Sequence, residues 1–422
     1  INYGKRADHA EVVAICDKSP EALDAQRAAA KGLDIAFYER FDDFIEHDMD
    51  AVVLANYANE HAPFAIRCLK KGLHVFSEVL PVQNMKEAVE LVEAVEESGL
   101  VYAYGENYCY MPAPYEMKKL YESGEIGEFE YGEGEYIHNC EAIWPSIAYG
   151  DPDHWRNNSY ATFYCTHSLG PIIHATGLRP VSVVGFEGTK NARGLRTGRK
   201  AGQFGIEMVT LETGGIVKSI HGDLYKNSIW YTMYGSKGRM ETGRQGMDKY
   251  SIHWLYQWAE QDDKTTDYAF YRPCVGGEPF EGRFGKVGQR EYHAISDRGA
   301  DAKSTFGHAG SDYYSMENFV KAIVGDESAD IIGVYEALDM FFVGHFGYLS
   351  ALDGSIPKKI PNFRNKEERE PFKNDTSCSI LASAGEMPLP FSTKEHEEIP
   401  DSVYENIREK FEGQKERKQY GV

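Results

Sequence analysis

The sequence has little positive charge, no long hydrophobic run and no regular cysteine pattern. Its 422 residues carry a net charge of −21, so a nucleic acid or an anionic membrane surface would be repelled. No apolar run approaches the ~18 residues that a membrane-spanning helix needs. The 7 cysteines are scattered without the spacing of a disulfide framework, which favours a reducing compartment. We therefore predict a cytoplasmic protein with no nucleic-acid partner and no membrane partner.

The amino-terminal quarter of the chain alternates short apolar strands with helices. Four strands are predicted, over 12–15, 51–54, 73–76 and 101–104. Ser19-Pro20 and Asn84-x-x-Glu87 are typical of helix starts, and Gly72 is typical of a helix end. This alternation predicts an α/β fold with a Rossmann-type parallel sheet.

A dinucleotide-binding fold normally opens with a strand and a G-x-G-x-x-G phosphate loop. Residues 1–16 contain only Gly4, and the chain begins at Ile1 rather than at methionine. We expect that the first strand and the phosphate loop precede Ile1, because the later segments follow the usual order. The alternative is a protein that binds no dinucleotide.

Beyond Tyr108 the pattern changes to longer alternating strands joined by tight turns. Thr213-Gly214-Gly215 predicts a hairpin, and helices over 315–324 and 335–352 are expected to pack against the resulting sheet. An open, mostly antiparallel sheet in an α+β arrangement is predicted here. The predicted regions are a dinucleotide-binding domain over 1–107, a substrate and oligomerisation domain over 108–362, and a charged C-terminal tail over 363–422.

The segment from Gly72 to Pro81 places a lone carboxylate, Glu78, directly after an apolar strand. It resembles the glucose–fructose oxidoreductase / inositol dehydrogenase (Gfo/Idh/MocA) family, in which Glu-Lys-Pro occupies this place and the lysine assists hydride transfer at a sugar carbon. Here Val79 stands in place of the lysine. The resemblance therefore implies a nicotinamide-dependent sugar enzyme whose acid/base group lies elsewhere.

Asp17 follows the first predicted strand, where a carboxylate can accept hydrogen bonds from ribose hydroxyls. Its charge favours NAD as the cofactor, although Lys18 leaves NADP open. The resemblance implies further cofactor contacts from four residues: Asn56, His61, Glu78 and Asn107. Asp17 could instead be a turn residue, and His61 could instead satisfy backbone groups at a helix start.

A second segment, Tyr164-Cys-Thr-His167-Ser-Leu-Gly170-Pro171, departs from the Asp-x-Gly-x-His-x-x-Asp pattern of the family's dehydrogenases. It is similar to the NAD-dependent α-N-acetylgalactosaminidases, which are glycosidases of the same fold. A histidine can take the proton of a sugar hydroxyl while hydride leaves, and a neighbouring tyrosine can relay that proton. We therefore predict His167 and Tyr164 as the catalytic pair. The alternative for His167 is a buried structural histidine.

Between these segments lie three candidate substrate-binding residues. His138, Trp155 and Arg156 could supply hydrogen bonds and an aromatic platform for a sugar, and the resemblance adds His308. Trp155 and Arg156 could equally form a packed loop with a structural ion pair. The histidine and cysteine spacings match no zinc pattern, so no metal site is predicted.

The favoured function is NAD-dependent transfer of hydride from a secondary hydroxyl, with C3 as the expected position, of a sugar or glycoside. The alternative is redox-neutral glycoside hydrolysis by oxidation, β-elimination and re-reduction. A second alternative is a non-catalytic sugar- or cofactor-sensing subunit, because the phosphate loop and the lysine are both absent. The resemblance also implies a homo-oligomer formed through the C-terminal sheet.

Overall fold

The computed structural model describes residues 9–244, 307–394 and 398–420, together with strands between 252 and 286. Two parallel sheets form its amino-terminal part: β1 (Ala14–Cys16) with β2 (Ala36–Tyr38), and β3 (Ala51–Leu54), β4 (His74–Ser77) and β5 (Tyr102–Tyr104). Their helices are α1 (Pro20–Ala29), α2 (Phe41–Phe44), α3 (His61–Lys71) and α4 (Met85–Ser98). The predicted Rossmann-type parallel arrangement is confirmed. The first strand begins two residues later than predicted, because β2 pairs only with Ala14–Cys16.

The helix boundaries follow the predicted caps. The Ser19 hydroxyl accepts a hydrogen bond of 3.3 Å from the backbone N–H of Ala22 at the start of α1. The Asn84 side chain accepts one of 3.0 Å from the backbone N–H of Glu87 at the start of α4. Gly72 ends α3 with a φ of 93°, a left-handed conformation that glycine adopts without strain.

A nine-stranded sheet dominates the second part of the chain, in the order β13-β12-β11-β10-β6-β9-β8-β7-β16. Its strands are β6 (Phe129–Ile137), β7 (Pro180–Glu187), β8 (Phe204–Leu211), β9 (Ile216–Gly222), β10 (Ser228–Gly235), β11 (Gly238–Thr242), β12 (Ile252–Trp258), β13 (Thr266–Ala269) and β16 (Lys358–Lys359). A separate hairpin joins β14 (Glu281–Gly282) to β15 (Gly285–Lys286). Only β6 and β9 pair in parallel among these described strands, so the mostly antiparallel sheet is confirmed. The predicted hairpin turn at Gly214 joins β8 to β9.

Seven helices accompany this sheet in the described part of the chain before residue 353. They are α5 (Pro112–Glu122), α6 (Trp144–Ala148), α7 (Trp155–Asn158), α8 (Thr166–Thr176), α9 (Ala192–Thr197), α10 (Ser311–Ile323) and α11 (Val334–Leu352). A Cβ atom on Gly134 of β6 would lie 1.7 Å from the backbone oxygen of Ser168, so only glycine lets α8 approach the sheet this closely. This contact fixes the first turn of α8. None of the described helices is long and apolar enough to cross a membrane.

A buried charge network joins α5, α8 and α11. His174 Nδ1 lies 2.7 Å from Glu336 Oε1, and Lys118 Nζ lies 2.6 Å from Asp330 Oδ1 and 3.0 Å from His174 Nε2. Burial alone would lower the pKa of His174, but the carboxylates of Glu336 and Asp330 outweigh it and raise the pKa to about 9. The imidazolium form therefore stabilises the packing of these three helices.

We expect the free energy of unfolding to depend on His174 at alkaline pH. A pKa raised from 6.5 to about 9 gives stability that is complete below pH 6.5 and is lost as pH rises through 9. The contribution is at most about 3 kcal/mol. Denaturant unfolding of the wild type at a series of pH values should show this loss. The His174→Gln variant should have a lower free energy of unfolding than the wild type below pH 9, and its free energy of unfolding should change less as pH rises through 9. An equal alkaline loss in the variant would contradict the assignment.

The residues after 362 contact both parts of the molecule. They contain α12 (Lys366–Arg369), α13 (Leu381–Ala384) and α14 (Asp401–Tyr420). Arg369 forms a 2.8 Å ion pair with Glu96 of α4, and the Tyr404 hydroxyl donates a 3.1 Å hydrogen bond to the backbone oxygen of Gly198. The segment therefore contacts both the amino-terminal part of the chain and the part that contains the nine-stranded sheet. The domain boundaries at 107 and 362 remain predictions.

Candidate active site

A buried histidine–glutamate pair lies at the centre of the site. His167, in the first turn of α8, has its Nδ1 atom 2.6 Å from Oε1 of Glu106, which follows β5. Glu106 is fully buried and His167 is 6% exposed. Because a carboxylate only accepts hydrogen bonds, the proton of this bond lies on Nδ1. In the tautomer with this Nδ1 proton, Nε2 is the nitrogen that can accept a proton, as a general base requires.

The surrounding backbone holds both members of this pair. Glu106 Oε1 also accepts a 3.3 Å hydrogen bond from the backbone N–H of Tyr108, and the Tyr231 hydroxyl donates a 2.5 Å hydrogen bond to the backbone oxygen of His167. A Cβ atom on Gly170 would lie 2.9 Å from Cγ of Glu106. Gly170 stands where the family's dehydrogenases carry an aspartate, and it leaves the space that the side chain of Glu106 occupies.

Three tyrosine rings surround the imidazole of His167. Their centroids lie 4.4 Å (Tyr108), 4.7 Å (Tyr136) and 5.0 Å (Tyr164) from that of the imidazole. Burial raises the pKa of Tyr164 to about 12, although the nearby charge of Arg156 lowers it in part. Tyr164 is therefore protonated near neutral pH and can donate a hydrogen bond to an oxygen that gains negative charge beside His167.

A second group of charges lies next to this pair. The carboxylate of Asp312 accepts a 2.8 Å hydrogen bond from Asn107 Nδ2 and lies 3.0 Å from His308 Nδ1. Glu78, directly after β4, is half-buried, and its Oε2 accepts a 3.3 Å hydrogen bond from the backbone N–H of Val79. Burial, together with the carboxylates of Asp312 and Glu106, raises the pKa of Glu78 to about 7, although the hydrogen bond from Val79 lowers it in part. This carboxyl group therefore changes charge near neutrality.

The predicted cofactor residues lie where parallel strands end. Asp17 follows β1 and accepts a 2.8 Å hydrogen bond from the backbone N–H of Ser19, while Asn56 and Glu78 follow β3 and β4. Carboxyl ends of parallel strands are where such folds bind nucleotides. Two buried amide oxygens near these ends, Asn59 Oδ1 and Asn107 Oδ1, have no hydrogen-bond partner among the described residues. These groups fit the ribose hydroxyls and the carboxamide of NAD.

His61 is placed differently from the other cofactor candidates. The side chain is buried, and its Nδ1 and Nε2 atoms lie 2.8 Å and 3.1 Å from the backbone oxygens of Leu80 and Asn56. This placement favours the alternative in which His61 satisfies backbone groups at the start of α3. A cofactor contact of His61 remains a prediction.

The predicted substrate residues lie on the other side of His167. The guanidinium of Arg156 lies 4.3 Å from the ring centroid of Trp155 and 5.6 Å from that of Tyr164. Trp155 is buried, so it supports Arg156 and Tyr164, and its role as a platform for a sugar remains a prediction. His138 Nδ1 lies 3.3 Å from the hydroxyl of Tyr136. No group of three metal-ligating side chains occurs among the described residues.

Several residues of the site had no role assigned from the sequence. They are Glu106, Tyr108, Tyr136 and Asp312. A carboxylate directly after a predicted strand was the available signal for Glu106, since the preceding strand ends similarly at Glu78. Nothing in the spacing indicates that Glu106 and His167, which are 61 residues apart, form a pair.

We expect the affinity for NAD to rise as pH increases through about 7. Glu78 is a predicted ribose contact: above this pH its carboxylate would accept hydrogen bonds from the ribose hydroxyls, whereas the protonated acid would be a weaker acceptor, and we expect a difference of about tenfold in affinity. Fluorescence titration with NAD at a series of pH values measures it. The variant Glu78→Gln should bind with little pH dependence, and an unchanged inflection in that variant would assign the titration to another group.

The comparisons with known proteins agree with this arrangement. Residues 1–106 match the oxidoreductase family described by an NAD-binding Rossmann fold (GFO_IDH_MocA). The chain is 25% identical to glycosyl hydrolase family 109 protein 3 of Phocaeicola vulgatus, over 94% of this chain and 78% of the relative. It is 22% identical to glycosyl hydrolase family 109 protein 1 of Bacteroides fragilis, over 84% of this chain and 80% of the relative.

Solved structures share the fold across both parts of the chain. The WlbA dehydrogenase of Bordetella pertussis, in complex with NADH and UDP-GlcNAcA, has a TM-score of 0.63 at 20% identity and covers 86% of this chain and 93% of its own. The scyllo-inositol dehydrogenase of Lactobacillus casei has a TM-score of 0.59 at 17% identity and covers 85% and 94%. The chain therefore shares the fold of these solved structures, with its parallel sheets and its large antiparallel sheet, and its residues 1–106 match the Gfo/Idh/MocA oxidoreductase family.

Proposed function

We propose that the protein oxidises a secondary hydroxyl of a sugar or glycoside, with His167 as the general base. The observation that carries this proposal is the 2.6 Å contact between His167 Nδ1 and the buried Glu106. It leaves Nε2 to accept the hydroxyl proton. NAD, when bound, accepts the hydride from the same carbon. Val79 occupies the place of the family's lysine, and His167 supplies the missing acid/base group.

Glu106 and Tyr164 support this step in different ways. The carboxylate of Glu106 holds the imidazole in one orientation and stabilises the positive charge that forms on it. Tyr164 stays protonated, because burial raises its pKa to about 12, and donates a hydrogen bond to the oxygen that loses its proton. Both groups act at the hydroxyl being oxidised, which we assign to C3 of the ring.

A second candidate function is redox-neutral glycoside hydrolysis. Two observations favour it: the relatives are named as glycosyl hydrolases, and Glu78 supplies a second acid/base group with a pKa of about 7 near Glu106 and Tyr164. Once the ring carbon is a ketone, the proton on the adjacent carbon becomes acidic, and a second base can remove it. The aglycone then leaves by β-elimination and takes up a proton, water adds across the double bond that forms in the ring, and return of the hydride to the ketone restores the sugar.

One experiment separates the two functions. The full-length protein is incubated with NAD and a panel of glycosides while absorbance at 340 nm reports NADH and chromatography reports free aglycone. Growth of NADH without aglycone release supports the sugar dehydrogenase. Release of aglycone without net NADH supports the redox-neutral glycosidase. Absence of both signals with every glycoside, in a protein that binds NAD, would contradict both functions.

We also propose a homo-oligomer in the cytoplasm. In β8, buried side chains alternate with half-buried ones, so one face of the large sheet is covered less completely than the other. A second copy of the chain would cover that face. The six described cysteines have free thiols, which suits a reducing compartment.

A further inference from the structure

Three arginines lie close together on the substrate side of His167. We call Arg156, Arg193 and Arg199 the arginine cluster. Arg156 belongs to α7, and Arg199 is tied to α7 because the backbone N–H of Lys200 donates a 3.1 Å hydrogen bond to the backbone oxygen of Asn157. The guanidinium of Arg199 lies 5.6 Å from the ring centroid of Trp144, which in turn donates a 3.1 Å hydrogen bond to Asn157.

The arginine cluster is connected to the catalytic residues by direct contacts. Arg156 lies over the ring of Tyr164, which packs against His167. On the other side, His138 Nδ1 lies 3.2 Å from the thiol sulfur of Cys140, and the backbone N–H of Cys140 donates a 3.2 Å hydrogen bond to Asp223. The cluster and the predicted base therefore line neighbouring parts of one site.

Only part of this positive charge is compensated. Arg193 pairs with the buried Asp223 at 3.2 Å and also donates to its backbone oxygen. Neither Arg156 nor Arg199 has a carboxylate within ion-pair distance among the described residues. The Nε atom of Arg199 is buried and has no hydrogen-bond partner in that part of the chain. Burial lowers the pKa of Arg199 from its usual value; the charge of Asp223 raises it in part, and the like charges of Arg156 and Arg193 lower it further.

Uncompensated arginines are unusual in a chain with a net charge of −21. The carboxylate of Asp223 pairs with Arg193, and Glu78, Glu106 and Asp312 lie close to one another and form no ion pair with the arginine cluster among the described residues. A neutral substrate would leave Arg156 without an ion pair and Arg199 with only the charge of Asp223, which already pairs with Arg193, and such partial compensation is costly for desolvated cations. An anionic group would satisfy both, because guanidinium groups bind carboxylates, sulfates and phosphates through paired hydrogen bonds.

We propose that the sugar substrate carries an anionic substituent held by Arg156 and Arg199. This inference rests on the proposed function, since it names the substrate class of the same site. The shared chemistry is a planar or tetrahedral oxyanion, which a uronic acid, a sugar sulfate or a sugar phosphate would each provide. The buried Nε of Arg199 supplies an unused donor for it.

The test compares neutral and charged forms of the same sugar. Calorimetric titration of the NAD-bound, full-length protein uses D-galactose, D-galacturonate, galactose 6-sulfate and galactose 6-phosphate, and the matching glucose series. At least one charged sugar should bind about tenfold or more tightly than its neutral form, and added salt should reduce the difference. The charged member that binds most tightly identifies the oxyanion. Equal binding of neutral and charged members, or no binding by any charged member, would overturn the inference.

Variants at two arginines of one segment give the matched control. Arg199→Gln should abolish the preference for the charged sugar without changing NAD affinity, and Arg199→Lys should retain part of it. Arg196 is exposed and pairs with Glu141 at 2.8 Å, so Arg196→Gln should keep the full preference. A preference that survives Arg199→Gln would refute the assignment.

Failure of the anionic-substrate inference can be distinguished from failure of the proposed function. Binding is measured without turnover, so a failure of hydride transfer with every sugar would count against the function alone. Equal NADH formation from neutral and charged sugars, by contrast, would count against the anionic substrate and leave the function standing.

Discussion

Replacing His167 by glutamine should lower kcat for oxidation of the sugar by at least about a hundredfold, because glutamine cannot accept the hydroxyl proton. The glutamine amide is polar and can donate a hydrogen bond to the buried carboxylate of Glu106, although its nitrogen lies one bond further from Cβ than Nδ1 does. Initial rates of NADH formation at saturating NAD measure the effect. Under the glycosidase alternative, the rate of aglycone release should fall by a similar factor, since the same oxidation comes first.

A loss of folding must be separated from this loss of catalysis. His9 is exposed, so His9→Gln removes an imidazole outside the site and should leave kcat unchanged. The His167→Gln protein should also keep the thermal unfolding midpoint and NAD affinity of the wild type. A variant that binds NAD normally and still oxidises the sugar at more than about a tenth of the wild-type rate would exclude His167 as the base.

Changing Glu106 to glutamine should reduce kcat by about a hundredfold or more while KM changes little. The amide has nearly the shape of the carboxylate, but its NH₂ group can donate to Nδ1 and so favour the imidazole tautomer that carries its proton on Nε2. That tautomer cannot act as a base at Nε2. Loss of the carboxylate charge also removes stabilisation of the imidazolium; in serine proteases the equivalent change costs about ten-thousandfold.

Glu106 acts through His167, so it is a positioning residue and its test needs a readout that a structural role would not move. The first such readout is the ratio of the effects on kcat and KM. The second is the pH–rate profile, because its acidic limb should change shape in Glu106→Gln. Gly170→Ala supplies a steric counterpart, since the added Cβ would lie 2.9 Å from Cγ of Glu106. Normal kcat in Glu106→Gln would show that the carboxylate is not needed to orient the base.

The sequence alone was sufficient for the local features of the fold. Apolar runs, caps and turn residues predicted the parallel strands, the helix starts at Ser19 and Asn84, and the hairpin at Gly214, because each depends on neighbouring residues only. The late helix predicted over 315–324 begins four residues earlier, at Ser311, after a turn at His308–Gly310. The residue at which a helix begins depends on the turn before it, and the periodicity of apolar residues carries no information about that turn.

The site was only partly accessible from the sequence. His167, Tyr164 and Glu78 could be singled out, because their residue types and the adjacent motifs indicate chemistry. The pairing of Glu106 with His167 depends on how closely α8 packs against β6, and that distance is decided by the missing side chain of Gly134.

The arginine cluster shows the same division between sequence and structure. Arg156 is a candidate from the sequence because it lies in a segment that could supply hydrogen bonds to sugar hydroxyls, whereas Arg199 lies outside every motif. A hydrogen bond between the Lys200 and Asn157 backbones brings the second arginine beside the first. The sequence by itself determined which side chains can carry acid/base and charge chemistry. Only the tertiary structure decided which of them meet, because contacts between distant segments depend on the packing of whole helices and sheets.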